Sequence, residues 1–318
     1  MKMRKLLAST LALGILLNAG TGAARAQTGV SLFDPPTGFY LQPSAKEHRG
    51  KLYGPTASAA NWNFSQWEIP QDLPAFDATG VSKNQWATVT FQNGLLTVTE
   101  NAQNYPCSKQ YATGALPQEW GMFAAPNSAQ DPGFPLAVKD NHETVADLSG
   151  IEMTATVNLK TLKIIDNTCP ITKAFLTGYI VLANKVSHQM LFYGVGFANF
   201  LTKGGMTFPR AATMQSQTQG TMYFNGQNRE SGAHNFFAYG VPVNVISSQP
   251  KIMPGQTIHY QLALLPGLLN AVHAGQASGM SQDLTNWVVG GFYAGQSLTG
   301  HVVLETNWSD FSVTLTKN

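Results

Sequence analysis

Few side chains in this sequence could do chemistry, and they are widely scattered. Glu152 alternates with Thr154 and Thr156 on the polar side of a strand-like run, and Glu305 shares one side of the last long run with His301 and Val303. Two carboxyl groups held about 5 to 5.5 Å apart can cleave a glycosidic bond with retention, one as nucleophile and one as acid/base. Glu152 and Glu305 are therefore the catalytic candidates if the chain is an enzyme. Glu119, beside Trp120, and Glu230, after Arg229, read as loop carboxylates. A second set suits binding rather than catalysis. Gln189, Leu191 and Tyr193 fall on one side of a strand. An amide beside an aromatic ring can hold a neutral pyranose, because amides donate and accept hydrogen bonds and the ring stacks. Trp62, Trp67 and Trp120 lie in Pro-rich, loop-like segments and are further stacking candidates, whereas Trp86, Trp287 and Trp308 lie in strand-like runs and read as core.

Several familiar constellations are missing. Gly275-Gln-Ala-Ser-Gly279 places its serine one position too late for a nucleophile elbow. Gly194-Val-Gly196 has neither the third glycine nor the following helix of a dinucleotide loop. His142-Glu143 lacks the second histidine of a zinc protease, and Asp140, His142 and Glu143 read as a solvated loop. No metal or other cofactor is expected.

Patterning says what must position these residues. From Ile151 onward the sequence alternates in the manner of strands, beginning with Ile151, Met153, Ala155, Val157 and Leu159. Further runs cover 174–183, 189–198, 221–225, 235–239, 257–264, 287–293 and 301–316. Asn93-Gly94 between two alternating runs predicts a tight hairpin, and Asn184-Lys185 a second turn. Pro266, Leu268, Leu269 and Val272 before Gly275 predict one short helix. Many strands with one helix predict an all-β fold, a β-sandwich of jelly-roll type. Residues 27–80 and 101–150 read as loop-rich, and no linker divides 27–318 into two domains. A membrane barrel is disfavoured by uneven strand spacing and by the absence of an aromatic at the C-terminus.

The start of the chain reads as an export signal. Lys2, Arg4 and Lys5 precede an apolar run from Leu6 to Leu17, and Ala24-Arg25-Ala26 offers a cleavage site before Gln27. The expectation is a signal peptide over 1–26, a secreted or periplasmic protein, and no membrane span. The formal net charge of +2 then misleads. The signal takes four of the 19 basic groups, and the remaining 15 face 17 acidic ones. Charged residues are only 11% of the chain, against a usual value of about 25%, which argues against nucleic-acid binding. Hydrophobic residues at 43% exclude a disordered chain. In an exported protein the two cysteines, Cys107 and Cys169, are expected to pair, with a catalytic thiol as the alternative. The loop so closed is long enough for a bridge to contribute roughly 4 kcal/mol.

The C-terminal quarter adds a resemblance. Tyr260-Gln-Leu-Ala-Leu-Leu-Pro-Gly-Leu-Leu-Asn-Ala-Val272, Leu284-Thr-Asn-Trp-Val-Val289, Ala294-Gly-Gln-Ser-Leu-Thr-Gly300 and Asp310-Phe-Ser-Val313 follow in order. This order resembles the end of the family 12 glycoside hydrolases, endoglucanase jelly rolls in which a short helix precedes an Ala-Gly-x-Glu strand. His188-Gln-Met-Leu-Phe-Tyr193 is similar to that family's Glu-Leu-Met-Ile-Trp strand. The resemblance implies a polysaccharide or oligosaccharide partner. It also places the family's nucleophile on Gln189 and its acid/base on Gln296 or Ser297, and an amide can serve in neither role. The expectation is a secreted carbohydrate-recognising relative of glycoside hydrolases, with Gln189, Tyr193, Gln296, Trp120, Trp62 and Trp67 contacting the glycan. The alternatives are an active hydrolase or lyase using other carboxylates such as Glu152 and Glu305, or a structural or adhesive envelope protein.

Overall fold

The computed structural model describes residues 29–42, 60–107, 120–126, 143–165, 168–203, 210–212, 221–227, 234–240 and 252–318. The expected signal segment, Glu119, Asp140, His142 and Glu230 lie outside them. The first strands are β1 (Val30–Ser31), β2 (Phe39–Gln42), β3 (Trp62–Trp67), β4 (Val81–Lys83), β5 (Ala87–Gln92), β6 (Leu95–Asn101) and β7 (Trp120–Pro126). Then come β8 (Leu148–Ile164), β9 (Ile171–Asn184), β10 (Met190–Lys203), β11 (Arg210–Ala212), β12 (Thr221–Gln227) and β13 (His234–Gly240). β14 (Thr257–Ala263) leads into helix α1 (Leu265–Ala274), followed by β15 (Trp287–Thr299) and β16 (Val302–Lys317).

These strands make two sheets, as the patterning predicts. One has seven strands in the order β14-β8-β16-β6-β5-β4, with β1 beside β16. The other has nine, in the order β12-β13-β10-β9-β15-β7-β3-β2, with β11 beside β10. Pairing is antiparallel except between β2 and β3 and between β10 and β13. Strict alternation fixes which side of each strand faces inward, since a slip of one residue would turn every apolar side chain to water. On β8, Ile151, Met153, Ala155, Val157 and Leu159 are buried, and the intervening polar residues face out. The inner sides of both sheets meet in one core that includes Trp62, Trp120, Trp287, Trp308 and Phe292.

The predicted hairpin is present, with both Asn93 and Gly94 at positive φ between β5 and β6. The predicted helix begins at Leu265 with Pro266 in its first turn, and buries Leu268 and Val272. Cys107 and Cys169 form a disulfide across a sequence separation of 62. Gly295 on β15 is needed for close packing, because a Cβ there would lie 2.0 Å from the Met122 carbonyl oxygen on β7. Among the described residues, no helix is long and apolar enough to cross a membrane.

One expectation is corrected here. Within the loop-rich stretches 27–80 and 101–150, Trp62 and Trp120 lie not in loops but on the paired strands β3 and β7. As a result Trp62 and Trp120 are core residues with no exposed surface. The Trp62 indole N–H donates to the Asp34 carbonyl at 3.0 Å, and Trp120 packs edge-on against Trp86 and Tyr105.

Candidate functional site

The outer face of the nine-stranded sheet carries the side chains that its inner face does not use. On β9 the core takes Ala174, Leu176, Ile180 and Leu182, so Phe175, Thr177, Tyr179 and Val181 fall on the outer side. On β15 the core takes Phe292, Ala294 and Leu298, leaving Tyr293, Gly295 and Ser297 outside. β7 adds Phe123 and Ala125, and β3 adds Asn63, Ser65 and Trp67. Register brings these into rows across the sheet. One row runs Ser65, Phe123, Gly295, Thr177, Gly196, and another runs Trp67, Gly121, Ser297, Phe175.

A second apolar cluster forms the floor of this face: Ala125, Val181, Met190, Phe192 and Tyr293, all buried. Burial holds the Tyr293 phenol well above its ordinary pKa, so it stays a neutral hydroxyl. Phe123 and Tyr179 pack on this floor half-buried, with ring centroids 6.1 Å apart and edge to face. Trp67 at the end of β3 is 46% exposed. Phe175 is half-buried beneath the Lys173 ammonium, 4.7 Å from its ring centre. Two buried polar atoms of the same face, Asn63 Oδ1 and Thr177 Oγ1, have no hydrogen-bond partner among the described residues. Such atoms cost about 1–3 kcal/mol each unless something supplies the bond.

None of the nine strands of this sheet contains an aspartate or glutamate. The face can stack on rings and exchange hydrogen bonds with neutral groups, but its strands hold no carboxylic acid and no carboxylate nucleophile. Glu152 and Glu305 lie on the other sheet, on its outer side. The Glu152 carboxylate accepts from Gln261 Nε2 at 2.8 Å, and Glu305 accepts from Thr161 Oγ1 at 3.3 Å. Thr161 is nine residues along β8 from Glu152, so the two acids stand roughly 30 Å apart. As a catalytic pair they are ruled out by that separation.

The amides expected on a glycan surface have structural posts instead. Gln189 sits at the turn between β9 and β10. Its Nε2 donates to the Gly279 carbonyl at 2.8 Å, and its Oε1 accepts from the Ser281 N–H at 2.9 Å. Both ends of the amide are thus spent on pinning the segment after α1. Gln296 points between the sheets, and none of its surface is exposed. Its Nε2 donates to Glu100 Oε2 at 3.0 Å and to the Leu304 carbonyl at 3.4 Å. Its Oε1 accepts from the Thr306 hydroxyl, which in turn accepts from Trp308 Nε1 at 2.6 Å. Gln189 lies at the Trp287 end of the β9–β15 ladder, and Gln296 is nine residues further along, roughly 30 Å away. The two amides therefore do not face one another.

Tyr193 does share a side with Leu191, as alternation predicts, but that side is the core. Its hydroxyl lies against α1, where a Cβ on Gly267 would come within 2.0 Å of it. Burial pushes its pKa up to about 12. Of the six expected glycan contacts, only Trp67 stands exposed on the outer face. The sequence reading missed Phe123, Tyr179, Tyr293, Asn63 and Thr177. The alternation of Lys173, Phe175, Thr177, Tyr179 and Val181 carried the needed signal, because Leu176, Ile180 and Leu182 claim the core on the other side.

No family model matches the sequence, and no curated protein does either. Solved structures do. The family 12 xyloglucanase from Bacillus licheniformis matches at 10% identity and a TM-score of 0.41, over 79% of this chain and 99% of that one. The xyloglucanase domain of NopAA from Sinorhizobium fredii, solved with cellobiose, matches at 10% identity and 0.36, over 79% and 98%. Trichoderma harzianum endoglucanase 3, of family 12, matches at 10% identity and 0.33, over 80% and 98%. This chain resembles family 12 glycoside hydrolases weakly. The likeness is one of fold, and the roles of individual residues rest on the geometry above.

Proposed function

We propose that the protein recognises a neutral glycan on the outer face of its nine-stranded sheet, and that it does not hydrolyse the glycan through the usual pair of acids. One observation carries this reading: the face presents the exposed Trp67 ring and the half-buried Phe123 and Tyr179 rings, on strands without a single carboxylate. Rings on a face without carboxylates favour stacking on the apolar faces of a pyranose, which a neutral glycan offers. The Cys107–Cys169 bridge fits the exported life that the N-terminal sequence suggests.

The test is affinity gel electrophoresis of the full-length protein against xyloglucan, xylan and soluble cellulose derivatives, with Trp67→Ala alongside. Retardation by at least one polymer is expected. The variant should lose about tenfold in affinity, equivalent to roughly 1–2 kcal/mol of stacking, with an unchanged melting temperature because Trp67 is exposed. No retardation by any polymer would reject the reading. Reducing-end release by the unaltered protein would reject its non-hydrolytic half.

A further inference from the structure

The disulfide is not alone at its site. His301, in the turn between β15 and β16, brings its Nε2 to 3.5 Å from Cys107 Sγ. The two sulfurs and one His301 nitrogen all lie within 4.8 Å of one another. Around the imidazole, Nε2 lies 3.0 Å from the Tyr105 carbonyl and Nδ1 lies 3.4 Å from Thr168 Oγ1. Three chain segments converge here: the end of the β6 loop, the approach to β9, and the β15–β16 turn.

We propose that this cluster is a redox-gated site for a thiophilic divalent cation, of which zinc is the type. An external reductant supplies two electrons, a thiol pair ending as its own disulfide or a phosphine ending as its oxide with oxygen from water, and two protons from the thiol or the water complete two cysteine thiols. The cation then displaces both thiol protons and binds two thiolates and the imidazole. The spacing already suits this. Bonds of about 2.3 Å to sulfur and about 2.0 Å to nitrogen at a tetrahedral angle place S and N about 3.5 Å apart, the separation found here. The sulfurs must part, and Cys169 Sγ must settle at the same distance from the imidazole, from a start within 4.8 Å. The imidazole must change tautomer: Nε2 now donates to the Tyr105 carbonyl, and metal binding moves that hydrogen to Nδ1, where Thr168 Oγ1 can accept it. Cys107 and His301 are half-buried, so solvent can reach the fourth position. In an oxidising compartment the bridge ties the three segments together; in a reducing one the cation takes over that tie.

The experiment titrates cobalt(II) into the full chain, oxidised and phosphine-reduced, and then displaces it with zinc. The reduced chain should bind one equivalent, with a thiolate-to-cobalt charge-transfer band and tetrahedral ligand-field bands, and the oxidised chain should show neither. His301→Ala should weaken binding by at least about tenfold. The Cys107→Ser/Cys169→Ser double variant should abolish it. If reduction alone unfolds the chain, metal should restore its strand signal in far-UV circular dichroism. A reduced chain, folded or unfolded, whose cobalt keeps the aqua-ion spectrum overturns the proposal. So does a His301→Ala variant that binds as tightly as its parent.

Discussion

Gln296→Glu is the most informative single change, because it installs the carboxyl that a two-acid glycosidase would need at the position the family resemblance suggests. The geometry says that it damages the fold and creates no activity. The new carboxyl would replace an amide nitrogen that now donates to Glu100 Oε2 at 3.0 Å and to the Leu304 carbonyl at 3.4 Å. Two donor bonds vanish, and the acceptors they served are buried, at about 1–3 kcal/mol apiece. A second carboxyl would also stand against Glu100, where no exposed surface lets water screen the pair. Two unit charges about 3 Å apart repel by roughly 5 kcal/mol at an effective dielectric constant near 20, so the pair would keep one proton rather than ionise fully. The net loss should be about 3–5 kcal/mol at neutral pH, a large fraction of a typical domain's 5–15. Retaining a proton raises the folded-state pKa of the pair above its unfolded value. The variant should therefore be least impaired in acid and lose stability as pH rises. Urea denaturation at about pH 5 and pH 8, with a reducing-sugar assay on the same samples, reads both consequences. A variant as stable as its parent at the higher pH, or one that gains glycan hydrolysis, would refute the inward orientation of Gln296 and the reasoning built on it.

Two further outcomes follow from packing and titration. Tyr193 has its pKa raised by burial to about 12, against 10.0 for a free phenol. The stabilisation tied to that shift is fully present below pH 10 and is lost as pH rises through about 12. It amounts to roughly 2–3 kcal/mol, so Tyr193→Phe should flatten the alkaline fall in urea midpoint relative to the parent; an identical fall would contradict the burial assigned to that ring. Gly295→Ala should lower the melting temperature by several degrees or prevent folding, because the added methyl meets the Met122 backbone rather than a movable side chain; an unchanged melting curve would show that β15 and β7 are not as close as they stand here.

How far the fold could be read from the sequence depended on whether one side of each strand is wet. β8, β14 and β16 alternate because the seven-stranded sheet turns Thr154, Thr156, His259, Asn307 and Thr314 to solvent while Met153, Val157 and Trp308 pack inward. β7 reads Trp-Gly-Met-Phe-Ala-Ala-Pro and shows no such contrast, because Met122 and Ala124 lie in one apolar cluster and Ala125 in another, with Phe123 against it. Its neighbours in sequence are proline-rich, so local pattern alone made it a loop and its tryptophan a surface residue. The same ambiguity misplaced the site. Gln189, Leu191 and Tyr193 do share a side, but Met190 and Phe192 on the opposite side are just as apolar, and alternation cannot say which of two apolar sides is the core. Cross-strand register decides it: Tyr193 pairs with Ile180, and Ile180 with Phe292, and all three face the seven-stranded sheet. That register exists only once β9 has closed against both β10 and β15, the latter through pairs such as Lys173 with Thr299, more than a hundred residues apart in the chain. The residues that would meet a ligand were hidden for the same reason. Trp67, Phe123 and Tyr179 come onto one face only when β3, β7, β15 and β9 stand side by side, and no window of sequence holds all four.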